Sequence, residues 1–239
     1  MFCGRVLSQS HQEAKKRKQR RNDMCNFRYV LFDLDGTISD TSEGIYNCVY
    51  YVADKLGFER PREEDMPKFI GPPLHESLVR YSPGVTKENV EDVVELYRQR
   101  YFSVGVKECK LYDGMYDLFK HLHENGVKIA LATAKPEVAA IDCLEYLGVL
   151  KFFDFTAGLK RKDETKTEIV KRALDGLKNP DKAKTLMVGD RDYDAIGAKE
   201  NGIKCAGVKF GFGTEEEFTK NGAIAYVNDA SELEKLILG

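Results

Sequence analysis

The sequence lacks any long apolar run, since its longest uncharged apolar stretch extends only from Ile129 to Ala134. A helix that spans a bilayer needs about 20 apolar residues, so a membrane span and a membrane partner are excluded. Proline is also scarce, at 7 of 239 residues, while 42% of the residues are apolar and 32% are charged. That balance excludes a disordered or collagen-like chain. It predicts one large domain, or a core domain that carries a smaller inserted one.

Cysteine occurs only 6 times, and no two cysteines form a Cys-x-x-Cys pair. His121 and His123 are the only closely spaced histidines, and they have no cysteine nearby. The pattern predicts reduced thiols that are buried as small apolar residues. The sequence also begins without the apolar segment that a secretory signal would show before its basic run. We therefore expect a cytoplasmic protein.

A basic excess is absent from most of the chain. The formal net charge is −2, but residues 1–22 contain seven basic residues and one acidic residue, so the remainder carries −8. An acidic body excludes nucleic acid as the partner. We interpret residues 1–23 as a flexible basic extension, because they show no apolar periodicity. The alternatives are a nuclear-localisation or polyanion patch, or sequence upstream of a start codon at Met24.

From Phe27 onward, short apolar segments alternate with amphipathic helical patterns. Helical periodicity predicts one helix that ends at Gly126 and another, with Val138, Ile141 and Leu144 on its apolar face, that ends at Gly148. Strands are predicted at residues 29–32, 128–132, 155–157, 185–188 and 205–208. Such alternation is typical of an α/β fold with a doubly wound parallel sheet.

One interval breaks this alternation, because a long stretch with little strand signal separates the first two strands. Apolar residues at helical spacing predict a helix that ends at Gly57 and a second one from Val90 to Tyr101. A crossover between strands needs only one helix. The interval therefore predicts a helical cap domain at 41–112, inserted into an α/β core domain at 24–40 and 113–239.

Two carboxylates follow the first predicted strand, in the segment Asp33-Leu34-Asp35-Gly36-Thr37. Ligands of open parallel sheets bind beyond the carboxyl ends of the strands, so we interpret this pair as functional, although Asp-Gly beside Thr is also ordinary turn chemistry. The fourth strand ends in a second acidic segment with Asp190, Asp192 and Asp194, where the last two could instead cap a helix. Asp33, Asp190 and a backbone carbonyl would make the hard oxygen site that Mg²⁺ prefers.

Two further residues suit the binding of a phosphate. Thr133 ends the second predicted strand, where its hydroxyl and the backbone N–H of Ala134 can hold a phosphate oxygen. Thr165-x-x-Glu168 is a capping box, which places Lys166 in the first turn of a helix. A cation at the positive end of a helix dipole implies either full solvation or an anionic partner.

Taken together, these residues resemble the four ordered motifs of the haloacid dehalogenase-like hydrolases. The matching residues are Asp33-x-Asp35-Gly36-Thr37-x-x-Asp40, Thr133, Lys166 and Gly189-Asp190-x-x-x-Asp194. The resemblance covers about residues 27–238, and the helical insert is similar to the first type of cap in that family. Thr133-Ala134-Lys135-Pro136 is most similar to the phosphoglycolate phosphatase-like branch, where Asn usually stands in place of Ala134.

The resemblance implies a phosphatase mechanism for these positions. Asp33 would attack phosphorus and form an aspartyl-phosphate, and Asp35 would act as general acid and then general base. Thr133 and Lys166 would stabilise the transferred phosphoryl group. The implied substrate-binding residues are Gly36, Thr37, Thr133, Ala134 and Lys166, and the implied Mg²⁺ ligands are Asp33, Asp35, Asp190 and Asp194.

Other functions remain open at this point. A sugar phosphomutase of the β-phosphoglucomutase kind shares the four motifs, although mutase relatives commonly carry Val in place of Thr37. A phospho-accepting signalling domain would lack both the Asp-x-Asp spacing and a cap. A non-catalytic binding module on the same fold would have lost Asp33 or Asp35.

We expect the partner to be a small phosphorylated metabolite. Phosphoglycolate, a nucleoside monophosphate and a sugar phosphate all remain open, as does the choice between monomer and homodimer. The cap should select among them. Lys68, His75 and Arg80 could reach the part of the substrate beyond the phosphate, although exposed helix charges often have no such role.

Overall fold

The computed structural model describes residues 25–239, so the predicted basic extension at 1–23 lies outside the described residues. A parallel six-stranded sheet with the strand order β5-β4-β1-β6-β7-β8 forms its centre, and β2 and β3 pair separately in antiparallel fashion. The strands are β1 (Tyr29–Phe32), β2 (Ser39–Asp40), β3 (Lys110–Leu111), β4 (Lys128–Pro136), β5 (Phe155–Leu159), β6 (Thr185–Gly189), β7 (Lys204–Val208) and β8 (Ala225–Val227).

Helices cover both faces of this sheet. They are α1 (Ser42–Leu56), α2 (Leu74–Tyr81), α3 (Val90–Ser103), α4 (Met115–Glu124), α5 (Glu137–Tyr146), α6 (Lys166–Gly176), α7 (Asp192–Asn201), α8 (Glu215–Lys220) and α9 (Ala230–Leu238). Four short 3₁₀ helices are described as well: Glu63–Phe69, Gly105–Lys107, Leu150–Phe152 and Lys182–Lys184. The predicted fold class, a doubly wound parallel α/β sheet, is confirmed.

The strands of the central sheet are mostly apolar because both faces of the sheet are buried, and exposed charges such as Lys128 and Lys204 stand at strand ends. In β1, Val30 and Phe32 belong to the apolar cluster under α4, α5 and α9, whereas Leu31 belongs to the cluster under α6, α7 and α8. Side chains alternate between the faces of a strand, so a continuous apolar run serves both clusters. The five predicted strands are confirmed, with ends that shift by a few residues.

The segment between β2 and β3 contains helices and no strand. Its helices α1 and α3 pack against each other, and their buried side chains, such as Val49 and Tyr97, belong to the same apolar cluster as one face of the sheet. The helical content agrees with the predicted cap. The division of the chain into a core domain and a cap domain stays a prediction.

The predicted apolar face of α5 is wrong at one position. Val138 is 66% exposed, while the helix buries Ala139, Ala140, Cys143 and Leu144. Small residues at 139 and 140 let the helix approach the sheet closely, which turns Val138 towards solvent. Along residues 25–239, no helix combines the length and the apolar character that a bilayer crossing requires.

Candidate active site

The site lies where the neighbouring strands β4, β1 and β6 reach their carboxyl ends. Asp33 follows β1 directly, and its backbone N–H donates a hydrogen bond to the carbonyl oxygen of Val188 in β6 at 2.9 Å. Asp190 follows β6 directly. The parallel register therefore brings together two carboxylates that are separated by more than half the chain, as the sequence predicted.

Three carboxylates form a compact acidic cluster at this edge. One oxygen each from Asp33, Asp190 and Asp194 lies within 4.8 Å of the others. Burial raises the pKa of Asp190 well above its ordinary value, and the nearby carboxylates of Asp194 and Asp33 raise it further. Burial likewise raises the pKa of Asp194 to about 6, against the opposing effect of Lys166. Three buried carboxylates this close together need compensating positive charge beside them.

The chemistry of this donor set fits a hard divalent cation such as Mg²⁺. All three ligand atoms are carboxylate oxygens, and Mg²⁺ is held in proteins by one or two carboxylates together with water and substrate phosphate. The resemblance assigned the backbone carbonyl of Asp35 to the metal rather than its carboxylate, and this carboxylate does not belong to the cluster. Its side chain turns to Lys135, because Lys135 offers it a buried cation.

Lys166 supplies positive charge to this cluster from the first turn of α6. The predicted capping box is confirmed, since the Thr165 side chain accepts a hydrogen bond from the backbone N–H of Glu168 and α6 begins at Lys166. Lys166 Nζ lies 3.0 Å from Asp33 Oδ1 and 2.7 Å from Asp194 Oδ1. Burial alone would lower the pKa of Lys166, but these two carboxylates raise it above its ordinary value. Of the two alternatives for Lys166, full solvation or an anionic partner, the structure shows the second, and the partners are Asp33 and Asp194.

The turn after β1 is packed against Asp190. Gly36 has a φ of 80°, and a Cβ at this position would lie 2.2 Å from Asp190 Oδ2, so only glycine fits. The hydroxyl of Thr37 donates to Asp190 Oδ1 at 3.3 Å, and this hydroxyl is therefore occupied by the acidic cluster. The geometry gives Thr37 a place beside a predicted metal ligand, whereas the resemblance assigned it to the substrate.

Thr133 lies in an irregular part of β4. Regular pairing with β5 stops at Ala132 and resumes at Pro136, although the strand as a whole extends beyond the predicted end. Thr133 is buried, and its Oγ1 accepts a weak hydrogen bond from the backbone N–H of Lys135 at 3.3 Å. Ala134 is exposed. The interruption leaves the backbone of this segment free to face a ligand rather than the neighbouring strand.

Asp194, rather than Asp192, supports the start of α7. The backbone N–H of Arg191 donates to Asp194 Oδ2 at 3.1 Å, while Asp192 Oδ1 accepts only from the adjacent Tyr193 N–H. Asp194 therefore both supports the start of α7 through Oδ2 and belongs to the acidic cluster, where its Oδ1 pairs with Lys166.

Sequence reasoning missed two parts of the site. One is Lys135, whose Nζ lies 2.8 Å from Asp35 Oδ1; the sequence placed it in the segment Thr133-Ala134-Lys135-Pro136 but gave it no role. The other is the loop after β7, where the backbone N–H of Phe212 donates to Asp190 Oδ2 at 2.9 Å. Gly211 allows this approach, since a Cβ there would lie 2.3 Å from Asp190 Cβ. Gly207, Gly211 and Gly213 mark a glycine-rich segment in the sequence, but its contact with Asp190 could not be predicted from them.

A cavity of about 370 Å³ lies between the helical segment and the loops of the sheet. The carboxylates of the acidic cluster do not line it, but Arg191 of its wall follows Asp190 directly, and the Phe212 N–H donates to Asp190. Arg191 joins the two sides of the cavity, because its Nη1 donates to the carbonyl oxygen of Ile70 at 3.3 Å. Lys68 and Arg80 line the cavity, as the sequence suggested, but His75 does not, since its Nε2 lies 3.3 Å from Glu91. The other charged and aromatic residues of its wall are Glu76, Tyr81, Arg191, Tyr193 and Phe212.

Comparison with known proteins agrees with this geometry. The family model described as haloacid dehalogenase-like hydrolase matches residues 30–208. The chain belongs to the haloacid dehalogenase-like hydrolases. That match spans both acidic segments, Thr133 and Lys166, and it confirms the family that the ordered motifs resembled.

Proteins similar to this chain carry different enzyme names. A 5'-nucleotidase of Pseudomonas aeruginosa is 32% identical over 91% of this chain and 98% of its own length. Tyrosine-protein kinase PtkA of Mycobacterium tuberculosis is 31% identical over 87% of this chain and 70% of its own length. A haloacid dehalogenase-like family protein from Streptococcus pneumoniae superposes with a TM-score of 0.80 at 27% identity, over 87% of this chain and 97% of that one. The expectation of an enzyme from the phosphatase group of this family is confirmed.

Proposed function

We propose that this protein is a Mg²⁺-dependent phosphatase that hydrolyses a small phosphate monoester through an aspartyl-phosphate. The observation that carries the proposal is the set around Asp33: a carboxylate at a strand end, 3.0 Å from the buried ammonium of Lys166 and clustered with Asp190. A nucleophile for phosphoryl transfer needs positive charge beside it, because the phosphate it attacks is itself an anion.

The chain's own residues supply the remaining steps. Asp33 attacks phosphorus, and Asp35 donates a proton to the leaving oxygen. Asp35 then takes a proton from the water that attacks the aspartyl-phosphate. Lys166, with the Thr133 hydroxyl and the backbone N–H groups near Gly36 and Ala134, holds the phosphoryl oxygens.

Asp33, Asp190 and Asp194 are the side chains that would hold the metal, with Asp35 contributing through its backbone carbonyl. When bound, Mg²⁺ offsets the repulsion between the carboxylates and the substrate phosphate. Asp194 pairs with Lys166 in the structure, so it would also support the metal site by fixing the position of Lys166.

The cavity favours a substrate whose leaving group carries its own negative charge. Three cations and only one carboxylate line the wall. Lys68 is paired with Asp65 at 2.6 Å, and Arg191 lies 3.8 Å from Glu217. Arg80, in contrast, forms no ion pair with any carboxylate of residues 25–239; its guanidinium packs on the Tyr81 ring. We therefore assign Arg80 to the distal anion of the substrate.

A matched pair of substrates tests this assignment. 2-Phosphoglycolate and ethyl phosphate share the CH₂–O–phosphate unit and differ in a carboxylate against a methyl group. We expect Arg80→Gln to lower kcat/KM for 2-phosphoglycolate by about 10-fold or more, the value of a charge-assisted contact, and to leave ethyl phosphate nearly unchanged. The exposed cap cation Lys87 provides the control variant Lys87→Gln. An equal loss for both substrates would remove Arg80 from substrate selection.

The identity of the phosphoryl acceptor separates the proposed phosphatase from its alternatives. Water gives hydrolysis, whereas a sugar hydroxyl would make a mutase, and a tyrosine hydroxyl would reproduce the activity named for PtkA. Incubation with a panel of phosphorylated metabolites in ¹⁸O-water distinguishes these outcomes. We expect released phosphate that contains one ¹⁸O atom. Transfer to an added acceptor without phosphate release would contradict the proposed function.

We also propose a reducing, cytoplasmic setting for this enzyme. The five cysteines of residues 25–239 are all free thiols, although the sulfur atoms of Cys109 and Cys143 lie only 3.4 Å apart. Two thiols at that distance that remain unbonded are typical of a compartment that keeps cysteines reduced. Expression with a fluorescent tag and fractionation of the cells would test the location.

A further inference from the structure

Lys135 is a buried cation beside the reaction centre that the proposed mechanism does not use. Only 5% of its side chain is exposed, and its Nζ lies 2.8 Å from Asp35 Oδ1 and 3.1 Å from Asp35 Oδ2. Burial alone would lower the pKa of Lys135, but the Asp35 carboxylate raises it well above its ordinary value. A lysine so completely removed from water is retained only where its charge is matched.

The same ammonium group contacts the helical segment. Nζ of Lys135 lies 4.9 Å from the centre of the Tyr101 ring, within cation–π distance. Tyr101 is buried near the end of α3 and stacks on Tyr97, with the ring centres 5.7 Å apart and the planes 12° from parallel. Lys135 therefore touches an acid–base candidate on one side and a fixed aromatic ring of the cap on the other.

We propose that Lys135 is the positioning residue of Asp35, and that the Tyr101 ring of the cap holds Lys135 in place. This inference rests on the proposed function, because it concerns the assigned acid–base role of Asp35. Asp35 lies on a loop, and a carboxylate on a loop can rotate away from the leaving oxygen. A lysine that contacts both carboxylate oxygens limits this rotation, and a catalytic group must stay within a fraction of an ångström of its productive position.

The arrangement also links substrate enclosure to chemistry. Tyr101 belongs to the helical segment that forms one wall of the substrate cavity, whereas Lys135 belongs to β4 and Asp35 to the loop after β1. Lys135 reaches its full set of contacts only when α3 lies against the sheet edge as it does in the structure. Asp35 is then oriented for proton transfer in that arrangement and less well oriented when the ring is withdrawn.

Aryl phosphates with different leaving groups provide the test. p-Nitrophenolate leaves without help from an acid, while phenolate from phenyl phosphate needs a proton from Asp35; the two substrates are otherwise nearly the same shape. We expect Lys135→Met, assayed with saturating Mg²⁺, to lower kcat/KM for phenyl phosphate by about 100-fold. The loss for p-nitrophenyl phosphate should be at least about 10-fold smaller. Lys135→Arg should recover part of the phenyl phosphate activity, because it restores the cation.

Tyr101→Leu should show a weaker form of the same pattern, with the larger loss for phenyl phosphate. Its control is Tyr146→Leu, an exposed aromatic at the end of α5, which should change neither rate. Melting temperatures verify that every compared variant is folded. Equal losses for both substrates in folded Lys135→Met would overturn the inference while leaving the phosphatase intact. Absence of phosphate release by the unmodified enzyme would instead contradict the proposed function.

Discussion

Asp33 is the residue whose replacement discriminates most sharply between catalysis and folding. Its carboxylate lies at the end of a buried strand and pairs with Lys166 at 3.0 Å, yet its backbone, rather than its side chain, completes the sheet hydrogen bond to Val188. We expect Asp33→Asn to lower kcat by at least about 1,000-fold, as loss of a nucleophile does, while the fold is retained. Steady-state phosphate release and circular dichroism measure the two effects separately.

Asp192→Asn is the matched control for this change. Asp192 lies at the same edge of the sheet, but its side chain accepts only from the adjacent Tyr193 N–H. Turnover of that variant should stay within a few-fold of the unmodified enzyme. Near-normal activity of a verified Asp33→Asn sample would refute the aspartyl-phosphate mechanism.

Gly36 combines a backbone requirement with a close approach to a predicted metal ligand. At a φ of 80°, any Cβ would be strained, and here it would also lie 2.2 Å from Asp190 Oδ2. We expect Gly36→Ala to displace Asp190 and lower kcat/KM by about 100-fold, the cost of a displacement near 1 Å in a catalytic site.

Gly57→Ala separates the effect of backbone strain from the effect of the contact with Asp190. Gly57 has a similar φ of 67° but no atom within 4 Å of the position of a Cβ, so it carries the backbone strain alone. This variant should melt at a lower temperature and keep its kcat/KM. If both variants lose activity equally, the contact with Asp190 is not what matters at Gly36.

Contacts between distant residues explain why the site was only partly predictable. Asp33 and Asp190 could be paired from the sequence because each follows an apolar strand, and parallel strands deliver their ends to one edge. Lys135 and Asp35 are 100 positions apart in the sequence, and the local sequence around either residue does not predict a contact with the other. Such a contact depends on the irregular segment of β4, which only the assembled sheet defines.

At the scale of elements, one ion pair ties the end of α3 to the segment that precedes β3. Arg100 donates from Nη1 and Nη2 to the two oxygens of Glu108 at 2.8 and 2.9 Å, and the two side chains are 19% and 21% exposed. The hydrogen bonds from Arg100 hold the pKa of Glu108 below its ordinary value. Stability from this pair is therefore fully present at neutral pH and is lost as pH falls through the lowered pKa.

We expect Glu108→Gln to reduce the free energy of unfolding by about 1 kcal/mol at pH 7. The difference from the unmodified protein should shrink towards zero as pH falls from the ordinary glutamate pKa of about 4.3 through the lowered pKa of Glu108, because Glu108 is then protonated in both the folded and the unfolded state. Urea titrations of both proteins at several pH values measure this difference in the free energy of unfolding. Asp54→Asn, which removes an equally bidentate but largely exposed partner of Arg60, is the control and should change little. A difference that persists unchanged at low pH would show that charge is not its origin.

Elements with strong local signals were predictable, and those that depend on neighbours were not. The Thr165–Glu168 capping box predicted the start of α6 correctly, since capping is a local interaction. Strand β8, of three residues, was missed because it forms only by pairing with β7. The exposure of Val138 was missed for the same reason, as the close approach of α5 to the sheet decides which side of the helix is covered.

For the molecule as a whole, the acidic cluster predicts that metal and fold are coupled. Without a cation, burial and the neighbouring carboxylates make the ionised form of Asp190 costly to the folded state. A cation that binds only the folded protein stabilises it by an amount that grows with its concentration, about 2.7 kcal/mol at 100 times the dissociation constant. Mg²⁺ should therefore raise the melting temperature, and exhaustive chelation should lower it and stop turnover.

Asp190→Asn tests that coupling directly. In the absence of divalent cations this variant should melt at a temperature equal to or above that of the unmodified protein, because the costly charge is gone. The amide oxygen can still accept the hydrogen bond from the Phe212 N–H, and the amide nitrogen can donate to the Thr37 hydroxyl oxygen. Added Mg²⁺ should then stabilise it far less than it stabilises the unmodified protein. Ca²⁺ should compete with Mg²⁺ and inhibit turnover, since its longer bonds and higher coordination number disturb the in-line geometry. Full activity after chelation, or an equal Mg²⁺ shift in both proteins, would contradict a metal site at Asp190.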